Sequence, residues 1–139
     1  MTKDEELAKY VAQIEQYKEQ LNSLEIQSSY LQAAIADYRK AKMTLNHLGK
    51  EDKNTEILVP IGGSTFINAT ATDTSKVLFD IGNGIVTEKN FEDTIKKIDK
   101  RVEDLQKTQD NITSMMQQFQ EEAIDISAKA QKLYSEEQG

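Results

Sequence analysis

The chain has 139 residues, a length for one domain, but it is poor in the material of a compact globule: 37% hydrophobic, 29% charged, 6% aromatic and no Trp. A formal net charge of −7 repels phosphate backbones and argues against nucleic acid as a partner. The absence of Cys excludes disulfides and thiolate metal sites and fits a reducing compartment. Such a chain is either partly disordered or built from long helices with a narrow apolar seam, and its periodicity decides for helices.

The N-terminus, Met1-Thr2-Lys3-Asp4-Glu5-Glu6, has no apolar core of a signal peptide, so none is expected. No apolar run approaches the roughly 18 residues of a membrane span. No membrane partner is expected, and the chain is read as soluble and cytoplasmic. From Glu5 to Leu48, steps of three and four residues give Leu7, Tyr10, Ile14, Tyr17, Leu21, Leu24, Leu31, Ile35, Tyr38 and Leu45, broken only by Ser28 and Lys42. This is the seam of a coiled coil, narrower than the stripe of a globular helix. Thr2 with Glu5 forms a capping box, and Gly49 supplies the stop.

Lys50 to Asn54 is a polar linker, after which β-branched residues and glycines become frequent. Four short strands are expected near Glu56–Pro60, Thr65–Thr72, Lys76–Gly82 and Ile85–Glu88. Turns at Gly62-Gly63, Asp73-Thr74-Ser75 and Asn83-Gly84 separate them into two hairpins. Pro60 cannot donate to a ladder and belongs at an edge or a strand end.

The second seam starts after Asn90, an N-cap, with Glu92 and Asp93 in the first turn where the helix dipole favours them. It runs through Phe91, Ile95, Ile98, Val102, Leu105, Ile112, Met116, Phe119, Ala123, Ile126, Ala130 and Leu133, broken only by Gln109. Each helix is expected to extend roughly 65–70 Å. Two seams of similar length joined by a short insert can fold back into an antiparallel pair. In the register that sets bulky residues against small ones, Leu7 faces Leu133, Tyr10 faces Ala130, Ile14 faces Ile126, Tyr17 faces Ala123, and Leu45 faces Ile95.

The fold class is therefore mainly α: a long antiparallel two-helix coiled coil with two small β-hairpins inserted at the bend. The whole chain, 1–139, forms one domain, with a helix over 1–49, an insert over 50–89 and a helix over 90–139. About 35 residues of strand cannot build a core of their own. Ile57, Leu58 and Val59, then Val77, Leu78 and Phe79, are apolar on both strand faces. Unpaired edges invite other chains, so the insert is read as an oligomerisation element. The apolar positions expected at these contacts are Leu58, Val59, Phe66, Ile67, Val77, Leu78, Phe79, Ile81, Ile85 and Val86.

In the insert, Leu58-Val59-Pro60-Ile61-Gly62, Ser64-Thr65-Phe66-Ile67, Asp73-Thr74-Ser75-Lys76-Val77 and Ile81-Gly82-Asn83-Gly84 resemble prefoldin subunits, as does Lys89-Asn90-Phe91-Glu92-Asp93 after it. The resemblance covers nearly the whole chain. Two hairpins rather than one point to the alpha class of archaeal subunits. It implies an ATP-independent holdase chaperone, in which two alpha-class and four beta-class subunits join through their hairpins into β-barrels. The coiled-coil tips of this hetero-hexamer grip unfolded client proteins, which pass to a group II chaperonin. The tip residues expected here are Leu7, Tyr10, Val11, Ile14, Ile124, Ile126, Ala130, Leu133 and Tyr134, with Val11, Ile124 and Tyr134 off the seam. The alternative reading is a structural subunit, a filament former or spacer that assembles through the same hairpins.

Nothing in the sequence points to an enzyme, a cofactor or a metal. His47 stands alone as a solvated helix-end residue, and Met115, Met116 and Phe119 have core spacing, with Met115 open to solvent. The glycine pairs lack the Lys-Ser/Thr of a phosphate loop and are turn formers. Asn68-Ala69-Thr70 and Asn111-Ile112-Thr113 match the glycosylation pattern by chance. Arg39, Lys40 and Lys42 face Lys96, Lys97, Lys100 and Arg101, interleaved with Asp37, Asp99, Glu103 and Asp104, and are read as weak surface ion pairs. The ends of the chain are acidic: Asp4, Glu5 and Glu6, with Glu121, Glu122, Asp125, Glu136 and Glu137, a rim read either as keeping clients soluble or meeting a basic partner, or equally as ordinary solubility.

Overall fold

Thr2 starts the first helix, its Oγ1 accepting the Glu5 N–H at 3.2 Å, while Asp4, Glu5 and Glu6 sit in the positive first turn. The structure is a computed structural model that describes residues 2–50 and 54–138; Glu51, Asp52 and Lys53 of the expected linker lie outside it, as do the side chains of Glu137 and Gln138. The element order is α1 (Lys3–Leu48), β1 (Thr55–Gly62), β2 (Thr65–Ala71), β3 (Lys76–Gly82), β4 (Ile85–Asn90) and α2 (Phe91–Gln138). Two long helices thus enclose two antiparallel hairpins in sequence, as expected.

Residue packing divides the chain into two units. The first joins the N-terminal residues up to Ala34 with those from Leu105 onward. Here α1 and α2 run antiparallel, with Leu24 and Ile112 buried on the seam. The Tyr17 ring packs against Phe119 at 5.7 Å between centroids, and its hydroxyl donates to Glu122 Oε2 at 2.6 Å. Tyr17 therefore meets residues in the turn just before its expected partner Ala123.

Ser28 and Gln109, the two polar breaks in this part of the seams, find each other: Gln109 Nε2 donates to Ser28 Oγ at 2.7 Å. The simple register had set them against Ile112 and Leu31. The pairing follows from the cost of burial, because Gln109 is only 8% exposed and an unpaired amide there would forfeit its bonds to water. Its Oε1 is still buried without a partner. Ser28→Ala is therefore expected to destabilise the chain by about 1–3 kcal/mol. Adding Gln109→Leu should recover that loss or more, since an apolar pair leaves nothing unsatisfied. Urea unfolding of the two single variants and the double variant measures both.

The second unit is Ile35–Asp104. Its helical part buries Ile35 and Ile98, the latter 2% exposed, together with Thr94. Thr94 Oγ1 donates to the Asn90 carbonyl at 2.9 Å. Asn90 caps α2 as expected, its Oδ1 accepting the Asp93 N–H at 2.7 Å. Lys42, the other polar break in the first seam, reaches Asp99 at 2.7 Å, next to its expected partner Ile98. Helix α1 closes on a Gly49 N–H to Leu45 carbonyl bond of 2.8 Å. Gly49 is not in the left-handed conformation of the usual glycine stop. A Cβ there would lie 3.1 Å from the Leu45 oxygen and 3.2 Å from the Phe91 ring, tight contacts that glycine avoids.

The four strands form two separate two-stranded sheets, β1–β2 and β3–β4. Both hairpins use one device. Gly62 (φ 108) and Gly82 (φ 127) each absorb a register shift, and two residues with positive φ follow: Gly63-Ser64 (54 and 57) and Asn83-Gly84 (53 and 76). That is a two-residue type I′ turn after a bulge. The first turn is therefore centred on Gly63-Ser64, one residue later than Gly62-Gly63. The bulge explains the shift, because Gly62 pairs with Thr65 and stays in the ladder. At the expected turn between the hairpins, Asp73 Oδ1 accepts the Ser75 N–H at 2.8 Å.

Candidate functional site

The alternation of strand side chains divides the ten apolar residues expected at subunit contacts. On the second hairpin, Val77 and Phe79 are half-buried, and they line a groove of about 470 Å³ with Tyr38, Ala41 and Leu45 of α1 and Ile98 of α2. The opposite face carries Leu78, 76% exposed, and Val86, 54% exposed. On the first hairpin Val59 is half-buried, whereas Leu58 and Phe66 share the other face at 65% and 56% exposure. Ile67, Ile81 and Ile85 are also exposed. Val59, Val77 and Phe79 are thus less exposed than the other seven. Ile61, which is outside the set expected at subunit contacts, adds to the exposed apolar surface.

The residues expected to hold unfolded chains all lie in the first unit. Both chain ends meet there: Glu6 and Tyr10 of α1 line a cleft of about 230 Å³ with Lys129, Lys132, Leu133 and Glu136 of α2. Leu7, Tyr10, Ile14, Ile126, Ala130 and Leu133 are half-buried, as seam residues are. Val11, Ile124 and Tyr134, off the seam, are exposed. Sequence reasoning that followed the seam passed over Ile26 and Tyr30, which stand one turn apart on α1 and are exposed. Their signal was an apolar pair at i, i+4 away from the seam.

Tyr17 and Glu122 form a strongly directional polar contact between the helices near these ends. The Tyr17 hydroxyl and the Gln118 amide both donate to the Glu122 carboxylate, which holds its pKa below the ordinary 4.5 against a desolvation that raises it. The same hydrogen bond raises the Tyr17 pKa above 10.0, with desolvation and the carboxylate charge adding to it. The lowered carboxylate pKa contributes stability above pH 4.5 that is lost as pH falls through the shifted value. The raised phenol pKa contributes stability below pH 10.0 that is lost as pH rises through its own shifted value. Tyr17→Phe removes the phenol's contribution and the larger cause of the Glu122 shift, leaving the Gln118 hydrogen bond in place. Its thermal midpoint should fall furthest below that of the unaltered chain near neutral pH and converge with it in acid.

Among the described residues, no helix is long and apolar enough to cross a membrane, and no group of three or more His, Cys, Asp or Glu could hold a metal ion. The chain matches the family model described as Prefoldin subunit over residues 17–136. It is 27% identical to the prefoldin subunit alpha of Archaeoglobus fulgidus over 136 residues, covering 95% of this chain and 99% of that protein. With the prefoldin subunit alpha of Methanobrevibacter smithii it shares 30% identity over 127 residues, covering 91% and 86%. Among solved structures, the filamentous PFD from Methanocaldococcus jannaschii, determined by cryo-EM, superposes with a TM-score of 0.66 over 89% of this chain and 97% of that one. At 24% identity this last similarity shows a common fold.

Proposed function

Because the chain belongs to the prefoldin family, we propose that it is the alpha-type subunit of a cytoplasmic ATP-independent holdase that keeps unfolded polypeptides from aggregating. The hairpins join it to other subunits, beta-class ones in a two-to-four hexamer. The joined chain ends hold the client, which passes to a group II chaperonin. The observation that carries this reading is the pair of hairpins whose outer faces stay apolar and open to solvent, at Leu58 and Phe66 and at Leu78 and Val86. A two-stranded ribbon with such a face is marginal alone in water, so a second chain that covers it stabilises both. The exposed Val11, Ile124 and Tyr134 support the client-holding part of the proposal. Prefoldins act by binding, without turnover of a substrate, so no enzymatic activity is assigned.

Native mass measurement of the chain, alone and mixed with a beta-class prefoldin subunit, tests it. A closed hexamer formed only in the mixture supports the holdase reading. Long polymers of the chain alone would favour a filament-forming subunit, a reading to which the fold shared with a filamentous prefoldin lends weight. A monomer in both samples would refute both.

A further inference from the structure

One side chain links the β3–β4 hairpin to both helices by hydrogen bonds. Arg101 of α2 donates from Nη1 to the Tyr38 hydroxyl of α1 at 2.9 Å and from Nη2 to the Asp80 carbonyl of β3 at 2.8 Å. Its guanidinium also lies 4.6 Å from the Phe79 ring centroid and 5.7 Å from that of Tyr38. Three elements of the second unit therefore converge on one planar cation. Asp80 is where the hairpin begins its bulge, and its side chain is already committed, with Oδ1 accepting the Gly82 N–H at 2.7 Å. Arg101 thus grips the hairpin at the residue from which its bent tip departs.

We infer that Arg101 is a positioning residue for assembly: it sets the angle at which the second hairpin offers Leu78 and Val86 to a neighbouring subunit. The inference rests on the reading that the hairpins join subunits. Its physical basis is that a ribbon with few residues against the helices can rock about its base, and rocking spreads the outer face over many orientations. A bound orientation selected from many weakens association by the fraction populated. A fork of fixed hydrogen bonds stacked on an aromatic ring restricts that motion in two directions at once. A lysine keeps the charge but cannot bridge Tyr38 and Asp80 while stacking on Phe79.

The test compares the unaltered chain with Arg101→Lys, Tyr38→Phe and the double variant Leu78→Asp, Val86→Asp. Association with a beta-class prefoldin subunit is followed by native mass, and amide hydrogen exchange is followed on the dilute chain alone. Arg101→Lys should speed exchange across residues 76–90 and weaken association about tenfold, with exchange in residues 2–34 and 105–138 unchanged. Tyr38→Phe, which removes one of the two hydrogen bonds, should fall between. If Arg101→Lys associates as the unaltered chain does while the double Asp variant does not, the inference about Arg101 is wrong and the hairpin reading stands. If the double Asp variant also associates normally, the hairpin reading fails and takes the inference with it. Faster exchange throughout the chain in Arg101→Lys would make Arg101 a general stabiliser and overturn its positioning role.

Discussion

Leu78→Asp combined with Val86→Asp is expected to give a folded chain that no longer assembles. Both side chains lie on the same face of the β3–β4 ribbon, away from the groove that Val77 and Phe79 line. Both are already in water in the isolated chain, so carboxylates there cost it little, within about 0.5 kcal/mol each. In an assembly the account reverses. Each apolar side chain loses a burial term of about 1.5–3 kcal/mol. Each carboxylate must also leave water with no partner provided for it. The sum exceeds 4 kcal/mol by a rough count, which is on the order of a thousandfold in association. Native mass with a beta-class subunit reads the loss, and circular dichroism reads the intact helices. Normal assembly of the double variant would show that subunits meet elsewhere.

Removing residues 1–14 and 124–139 should abolish suppression of aggregation while leaving assembly untouched, because these segments lie in the first unit and the hairpins in the second. Deletion also shortens the seam, so the sharper form of this prediction is Val11→Ser, Ile124→Ser and Tyr134→Ser in one chain. These three are 52%, 69% and 51% exposed, so the change leaves the seam packing of Leu7, Ile14, Ile126 and Leu133 in place. Losing three partly available apolar contacts should weaken the hold on an unfolded chain by about 2–4 kcal/mol, roughly thirtyfold or more. The measurement is light scattering of a chemically unfolded protein diluted into increasing amounts of the assembled chaperone. Equal protection by the triple variant and the unaltered assembly would move the client site away from the chain ends. Ile26 and Tyr30 would then be the next residues to change.

Much of this was legible in the residues themselves. Heptad spacing places Leu24, Ile35, Ile98 and Ile112 in the core, and all four are buried. Glycine and asparagine mark the turns, and the strands begin and end within one or two residues of expectation. The deviations have a common form. Gly62-Gly63 read as a turn because glycine signals positive φ, yet positive φ served a bulge first and the turn came a residue later. Gly49 supplies the stop of α1 as read, though without a left-handed conformation, and the side chain beside it is Phe91, far away in sequence.

Local periodicity and turn chemistry thus determined the elements of this protein, because both act over a few consecutive residues and leave their marks there. Tertiary structure alone decided which residues meet across the chain. Ser28 and Gln109 are each unremarkable polar breaks until burial forces them to satisfy one another. Arg101 reads as one cation in a run of surface charges until folding brings Tyr38, Phe79 and Asp80 around it. Such contacts depend on three-dimensional distance between residues that share no sequence pattern, and a linear reading carries no term for that distance.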